Sequence, residues 1–206
     1  MVKRTQTKWN WFAAAAIPST LIASGLMVGV ANGAVPVALN VAGDTFKVSA
    51  DELDGTDFKQ YANVVGDAGG EFHPVAASVI GNADLTNLCQ SVTVPDNPLG
   101  ITASMVITAG DGGEPATAQN MTIGLEELRG DAEFGNIFIG TDGQVLADSA
   151  GEDPSHEIIA GSVGQRADSI NIINLEQTAY SVHAGTFTLN NLRLRISLSG
   201  EECFDW

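Results

Sequence analysis

The sequence predicts an all-β domain, a β-solenoid or folded-over sheet, with a β-sandwich as the alternative. An N-terminal signal or anchor helix precedes it. Three observations carry this. Apolar residues alternate with a period of two over short runs. Glycine-rich turns separate the runs, as in GDAGG, AGDGGEP, GTDGQ and AGEDP. The alternation also switches parity at asparagines, where the chain must turn or bulge.

The first element is residues 1–33. Lys3, Arg4 and Lys8 open the chain, and no charge occurs between Trp9 and Gly43. The apolar run from Trp11 to Ala31 includes Phe12 and ends in small residues, a secretory signal with cleavage after Ala31 or Gly33. The run is also about the ~20 residues that span a bilayer. Trp9 and Trp11 would then sit at the interface, with the three basic residues holding the N-terminus in the cytoplasm. Under either reading residues 34–206 form an exported domain, released or held at the outer face of the membrane.

In that domain Phe46 and Val48 alternate, as do Ile101, Ala103, Met105 and Ile107, then Met121, Ile123 and Leu125. The one helical-looking piece, LEELRGDAEF, is short and interrupted by Gly130, so no long helix is expected. Ile170 and Ile172 alternate until Ile173 and Leu175 take over around Asn174. Phe187 and Leu189 give way at Asn190-Asn191 to Leu192, Leu194, Ile196 and Leu198. An Asn-Leu step thus recurs at 87–88, 174–175 and 191–192, and Ala-led starts recur at Ala50, Ala83, Ala118 and Ala167. The unequal spacings make this a degenerate repeat. Asparagine suits such corners because it tolerates left-handed backbone. The strand LRLRISLS is expected to bury its Leu/Ile face and wet its Arg/Ser face.

Composition limits the function. The whole chain carries a net charge of −16. Of nine basic residues three lie in the leader, leaving six against 25 acidic ones in the domain. Such a surface repels phosphate backbones, so nucleic acid is not an expected partner. Cys89 and Cys203 are the only cysteines and match no zinc spacing. In an exported protein they are expected to form a disulfide.

Several residues invite chemistry. Ser162 in AGSVG, Asp168 and His183 follow the chain order of an α/β-hydrolase triad. The nucleophile elbow needs a helix after the serine, however, and QRADSINI reads as a strand. No catalytic residue is therefore assigned. His73, His156 and His183 are dispersed, and no transition-metal spacing exists. Asp51, Asp54 and Asp57 around Gly55 are a weak candidate for calcium, but their spacing is not that of an EF-hand loop. No cofactor is implied. A folded-over sheet could also leave its inner face partly open and hold acyl chains. That face would include Ile170, Ile172, Phe187, Leu189, Leu192, Leu194 and Ile196.

The segments WNWFAAAAIPS, FKVSADELDGTDFKQY, HPVAASVIGNADLTNLCQSV, QTAYSVHAGTFTLNNLRLRIS and the closing ECF resemble an actinobacterial family of exported proteins of unknown function. Its members often carry the automatic label "cholesterol esterase". The resemblance covers nearly the whole chain and implies export and a shared fold. It supplies no catalytic motif. Members resembling this chain often accompany small multi-spanning membrane proteins, which implies an envelope partner. The expectation is a non-enzymatic envelope protein acting by binding or assembly, with a lipid or envelope component as partner. A secreted serine esterase and a structural subunit of an extracellular assembly are the alternatives.

Overall fold

The computed structural model describes residues 37–40, 45–66, 71–94, 102–150, 159 and 161–206. Lys3, Arg4, Lys8, Trp9, Trp11 and Phe12 of the expected signal or anchor, the expected cleavage positions, Ile101 and His156 lie outside the described residues. Among the described residues nine strands and one short helix follow in order. They are β1 (Val37–Asn40), β2 (Phe46–Gly66), β3 (Phe72–Thr86), β4 (Leu88–Val94) and β5 (Ala103–Ala109). Then come β6 (Ala116–Gly135), β7 (Phe138–Asp142), α1 (Gly143–Ala150), β8 (Val163–Thr188) and β9 (Arg193–Ser197).

All nine strands join one antiparallel sheet in the order β1-β8-β6-β3-β2-β4-β5-β9, with β7 beside β8. A further pairing of β8 with β2 closes β2, β3, β6 and β8 into a ring. The fold is therefore all-β, a single sheet folded back on itself.

The folding is done at corners. Asp57, Asn87, Asn120, Asn136, Asn174 and Asn191 all adopt left-handed φ, between 49° and 56°. Asn and Asp are the non-glycine residues that enter this region most readily. The corners of neighbouring strands fall side by side. One row runs from Asn136 through Asp168, Asp57, Gly81 and Asn120 to Gly185, each at a gap in the pairing of adjacent strands. Asn136 Nδ2 donates to Asp168 Oδ2 across this row at 2.8 Å. The second row runs from Asn174 through Asp51, Asn87 and Gly110 to Asn190. Within it the backbone N–H of Asn87 donates to Gly110 O, and that of Gly110 to Asn190 O.

At Asp57, Asn87, Asn120 and Asn174 the corner flips the parity of its strand, so both arms point apolar side chains at one core. Leu53 and Phe58 are buried on either side of Asp57, Leu85 and Leu88 around Asn87, Ile172 and Leu175 around Asn174. The parity switches at 87, 174 and 191 read from the sequence are these corners. Close layers need small residues. A Cβ on Gly55 would stand 2.9 Å from Ile80 Cγ2 and 3.1 Å from Ile170 Cγ2.

Two covers lie on the outside. Leu146 and Ala147 of α1 pack on Tyr61, Ala77 and Val79. The C-terminal tail crosses β4 and β5, fixed by the Cys89–Cys203 disulfide with Cα atoms 5.8 Å apart. Cys203 N donates to Ser91 Oγ, Ser104 Oγ to Glu201 O, and Lys47 Nζ to Glu202. Phe204 is buried there, and the Arg129 guanidinium lies 3.8 Å from the centre of the Trp206 ring.

LEELRGDAEF, where no long helix is expected, continues β6 through cross-strand pairing with β8. Two expectations need correction. The one helix among the described residues is α1, in a stretch read as a turn. Asp142 caps it, its Oδ1 accepting from the N–H of Gln144 at 2.8 Å. Finally, Leu192, Leu194, Ile196 and Leu198 are not buried but 52–67% exposed. Among the described residues β9 pairs with β5 alone, at the edge of the sheet.

Candidate functional site

Where the folded layers face each other they do not close completely. A cavity of about 250 Å³ remains between them. Leu53, Ile170 and Ile172 line it from the strips between the two corner rows. Ile80, Ile123 and Leu125 line it from the opposing arms. Phe58 and Phe134 close one end, their rings 5.5 Å apart. Leu128 and Ala132, both exposed, mark its approach to solvent.

Among the described residues two polar side chains reach this lining, Gln60 and Ser78, and both are hydrogen-bonded. Gln60 Nε2 donates to Ser78 Oγ, and Gln165 Nε2 donates to Gln60 Oε1, each at 2.8 Å. A buried amide and hydroxyl without partners would oppose folding. Bonded together they leave a wall of hydrocarbon with a small polar patch. No charged side chain among the described residues lines the cavity. It can hold an apolar group by contact and exclude water from it.

The expected inner-face residues divide. Ile170 and Ile172 line the cavity. Phe187 and Leu189 are partly buried against the core, Phe187 beside a second gap of about 20 Å³. That gap has room for about one water and no more. Leu192, Leu194 and Ile196 belong to the exposed edge and line neither space. A wider groove of about 450 Å³ lies on the outer side, between Pro74 and Val75 and the exposed Ile139 and Val163.

The triad residues are not assembled. Ser162 leads into β8, not into a helix. Its carbonyl accepts from the N–H of Gly143, its own N–H donates to Ile159 O, and its hydroxyl is buried against the start of α1. Asp168 is a corner residue bonded to Asn136. His183 is exposed and faces Thr122 of β6 and Ala38 of β1. Along the corner row, Asp57, Gly81 and Asn120 stand between Asp168 and Gly185, and His183 lies two residues before Gly185.

The aspartates proposed for calcium also separate. Asp51 accepts from Asn87, Asp54 from Asn171 at 3.4 Å, and Asp57 pairs with Lys59. Among the described residues no group of three or more His, Cys, Asp or Glu side chains is placed to hold a metal ion. Asp51 and Asp57 are corner residues, which explains the motif without a ligand.

Sequence reasoning missed one polar cluster. His73 stacks on Tyr180 with ring centres 4.4 Å apart, and Tyr180 Oη reaches Glu126 Oε1 at 3.5 Å. Burial, then the charge of Glu126 and its hydrogen bond, push the Tyr180 phenol above its ordinary pKa. The three residues come from β3, β8 and β6, so no local motif announces them.

A family model described as a family of unknown function (DUF6230) matches residues 42–204. No curated protein and no solved structure matches the chain.

Proposed function

We infer, for a chain that belongs to the family of unknown function DUF6230, that it is an exported cell-envelope protein acting by binding and not by catalysis. Its ligand is a slender apolar group, a single acyl chain in the first instance. The apolar cavity at Ile123, Leu125, Ile170 and Ile172 carries this reading. At about 250 Å³ it falls just below the ~300–1,000 Å³ of sites for drug-sized molecules. That size suits one chain lying along the layer.

The basic, apolar N-terminus and the disulfide support export, since disulfides persist in oxidising compartments. The resemblance to an actinobacterial exported family fits the same location. There the partner would be a membrane component, such as the small multi-spanning proteins that accompany that family. The esterase label of its members draws no support from Ser162, Asp168 and His183 as they stand here.

The test is titration of the protein with a fluorescent acyl-chain probe. Saturable binding is expected, with loss in Ile123→Trp, whose indole would occupy the cavity. Binding that survives the filled cavity removes the cavity from the account. A parallel assay follows hydrolysis of an acyl ester. Turnover abolished by Ser162→Ala in a folded protein would restore the esterase reading.

A further inference from the structure

The edge strand β9 raises a separate question. Leu192, Leu194, Ile196 and Leu198 form an alternating row 52–67% exposed. Met105 and Ile107 of β5, paired with Ile196 and Leu194, extend the row inward. Soluble proteins usually protect an edge with proline, lysine, a bulge or a cover. The β7 edge carries such a device, a bulge at Gly140 with φ 103°. β9 has no proline, no lysine and a regular register with β5.

We propose that β9 is a strand-pairing edge that joins two copies of this chain, antiparallel and related by a two-fold axis. Three points favour a second copy. Antiparallel self-pairing of LRLRIS places the Leu and Ile of both copies on one face, since all lie on one parity. The arginines on the other parity are already matched, Arg193 by Asp111 at 3.1 Å and Arg195 by Glu201 at 2.6 Å. Two edges can thus approach without an unmatched positive charge, although the domain as a whole is acidic. A lipid surface is a poorer occupant. A strand edge entering hydrocarbon would leave its free N–H and C=O groups without partners, whereas a second β9 pairs with them and sets its own Leu and Ile beside the apolar row.

Edge-to-edge pairing buries the backbone edge and only the flanks of this row, well under the ~1,000 Å² of a specific interface, so the dimer is weak and depends on concentration. It forms outside the cavity and does not depend on ligand binding there.

Sedimentation of the exported protein in mild detergent, over a wide concentration range, tests this. The expected result is a twofold rise in mass with concentration, abolished by Ile196→Lys, while acyl-probe binding is unchanged. If Ile196→Lys loses cooperative unfolding, Leu198→Lys, beyond the end of the strand, takes its place and is expected to abolish the rise. A wild type that stays monomeric throughout overturns the proposal. So does a dimer that persists in the folded lysine variants. Flotation of a monomeric wild type with phospholipid vesicles, lost in the lysine variant, would assign the row to lipid and also overturn it.

Discussion

Asn87 Nδ2 donates to Asp51 Oδ2 at 2.6 Å, tying two corners of adjacent strands together. The same asparagine holds φ at 52°, so it serves both the bend and its lateral bond. Asn87→Ala places a Cβ-bearing residue without a polar side chain in left-handed backbone, at a cost of about 1–2 kcal/mol, and also removes the hydrogen bond. Asn87→Gly keeps the backbone comfortable and loses the bond. Denaturant unfolding should rank wild type above Asn87→Gly, and Asn87→Gly above Asn87→Ala. Equal stability of the two variants would mean that the left-handed conformation carries no cost here.

The Cys89–Cys203 bond closes a loop with a sequence separation of 114. The chain-entropy relation assigns such a loop about 4–5 kcal/mol. Replacing both cysteines by serine should lower stability by an amount of that order and loosen the tail. Trp206, now stacked on Phe204 and bonded to Glu176, should then emit at longer wavelength. An unshifted emission spectrum, read against a chain in which Trp9 and Trp11 are replaced, would show that the tail holds without the bond.

Tyr180 predicts an alkaline limit. Burial, followed by the charge and hydrogen bond of Glu126, raises its pKa above the ordinary 10.0. The folded state therefore keeps a proton that the unfolded chain releases. This contribution to stability is complete below about pH 10 and is lost as pH rises through the raised folded value. Tyr180→Phe should flatten that part of the stability profile. In Glu126→Gln the phenol should titrate lower than in wild type yet remain raised, because burial is the leading cause. Denaturant unfolding as a function of pH reads the first, and spectrophotometric titration of the phenol reads the second.

Much of the fold was legible because its corners are local. A left-handed asparagine in a strand shows itself as a parity switch, and Asn87, Asn174 and Asn191 can be found by counting apolar residues. The partner corners Asp51 and Asp57 instead resembled cation ligands, since aspartate serves both purposes. The fate of LRLRISLS was not legible. Its alternation is that of a half-buried strand, but burial depends on whether another layer covers it, which is a property of the whole sheet. The helix α1 was hidden by Asp142 and Gly143, which read as a turn although the aspartate caps a helix. In the cavity, Ile170 and Ile172 were recognisable from their alternation. The arms that oppose them, bearing Ile80, Ile123 and Leu125, are brought there only by the closure of β8 on β2.

The central claim is that the gap between the folded layers receives an apolar chain. Methyl NMR of the folded protein, titrated with a short fatty acid, tests it most directly. The account predicts saturable shifts at the methyls of Ile80, Ile123, Leu125, Ile170 and Ile172, with Leu194 and Ile196 unmoved. Shifts confined to Leu194 and Ile196, or no saturable shift at any cavity methyl, would contradict it.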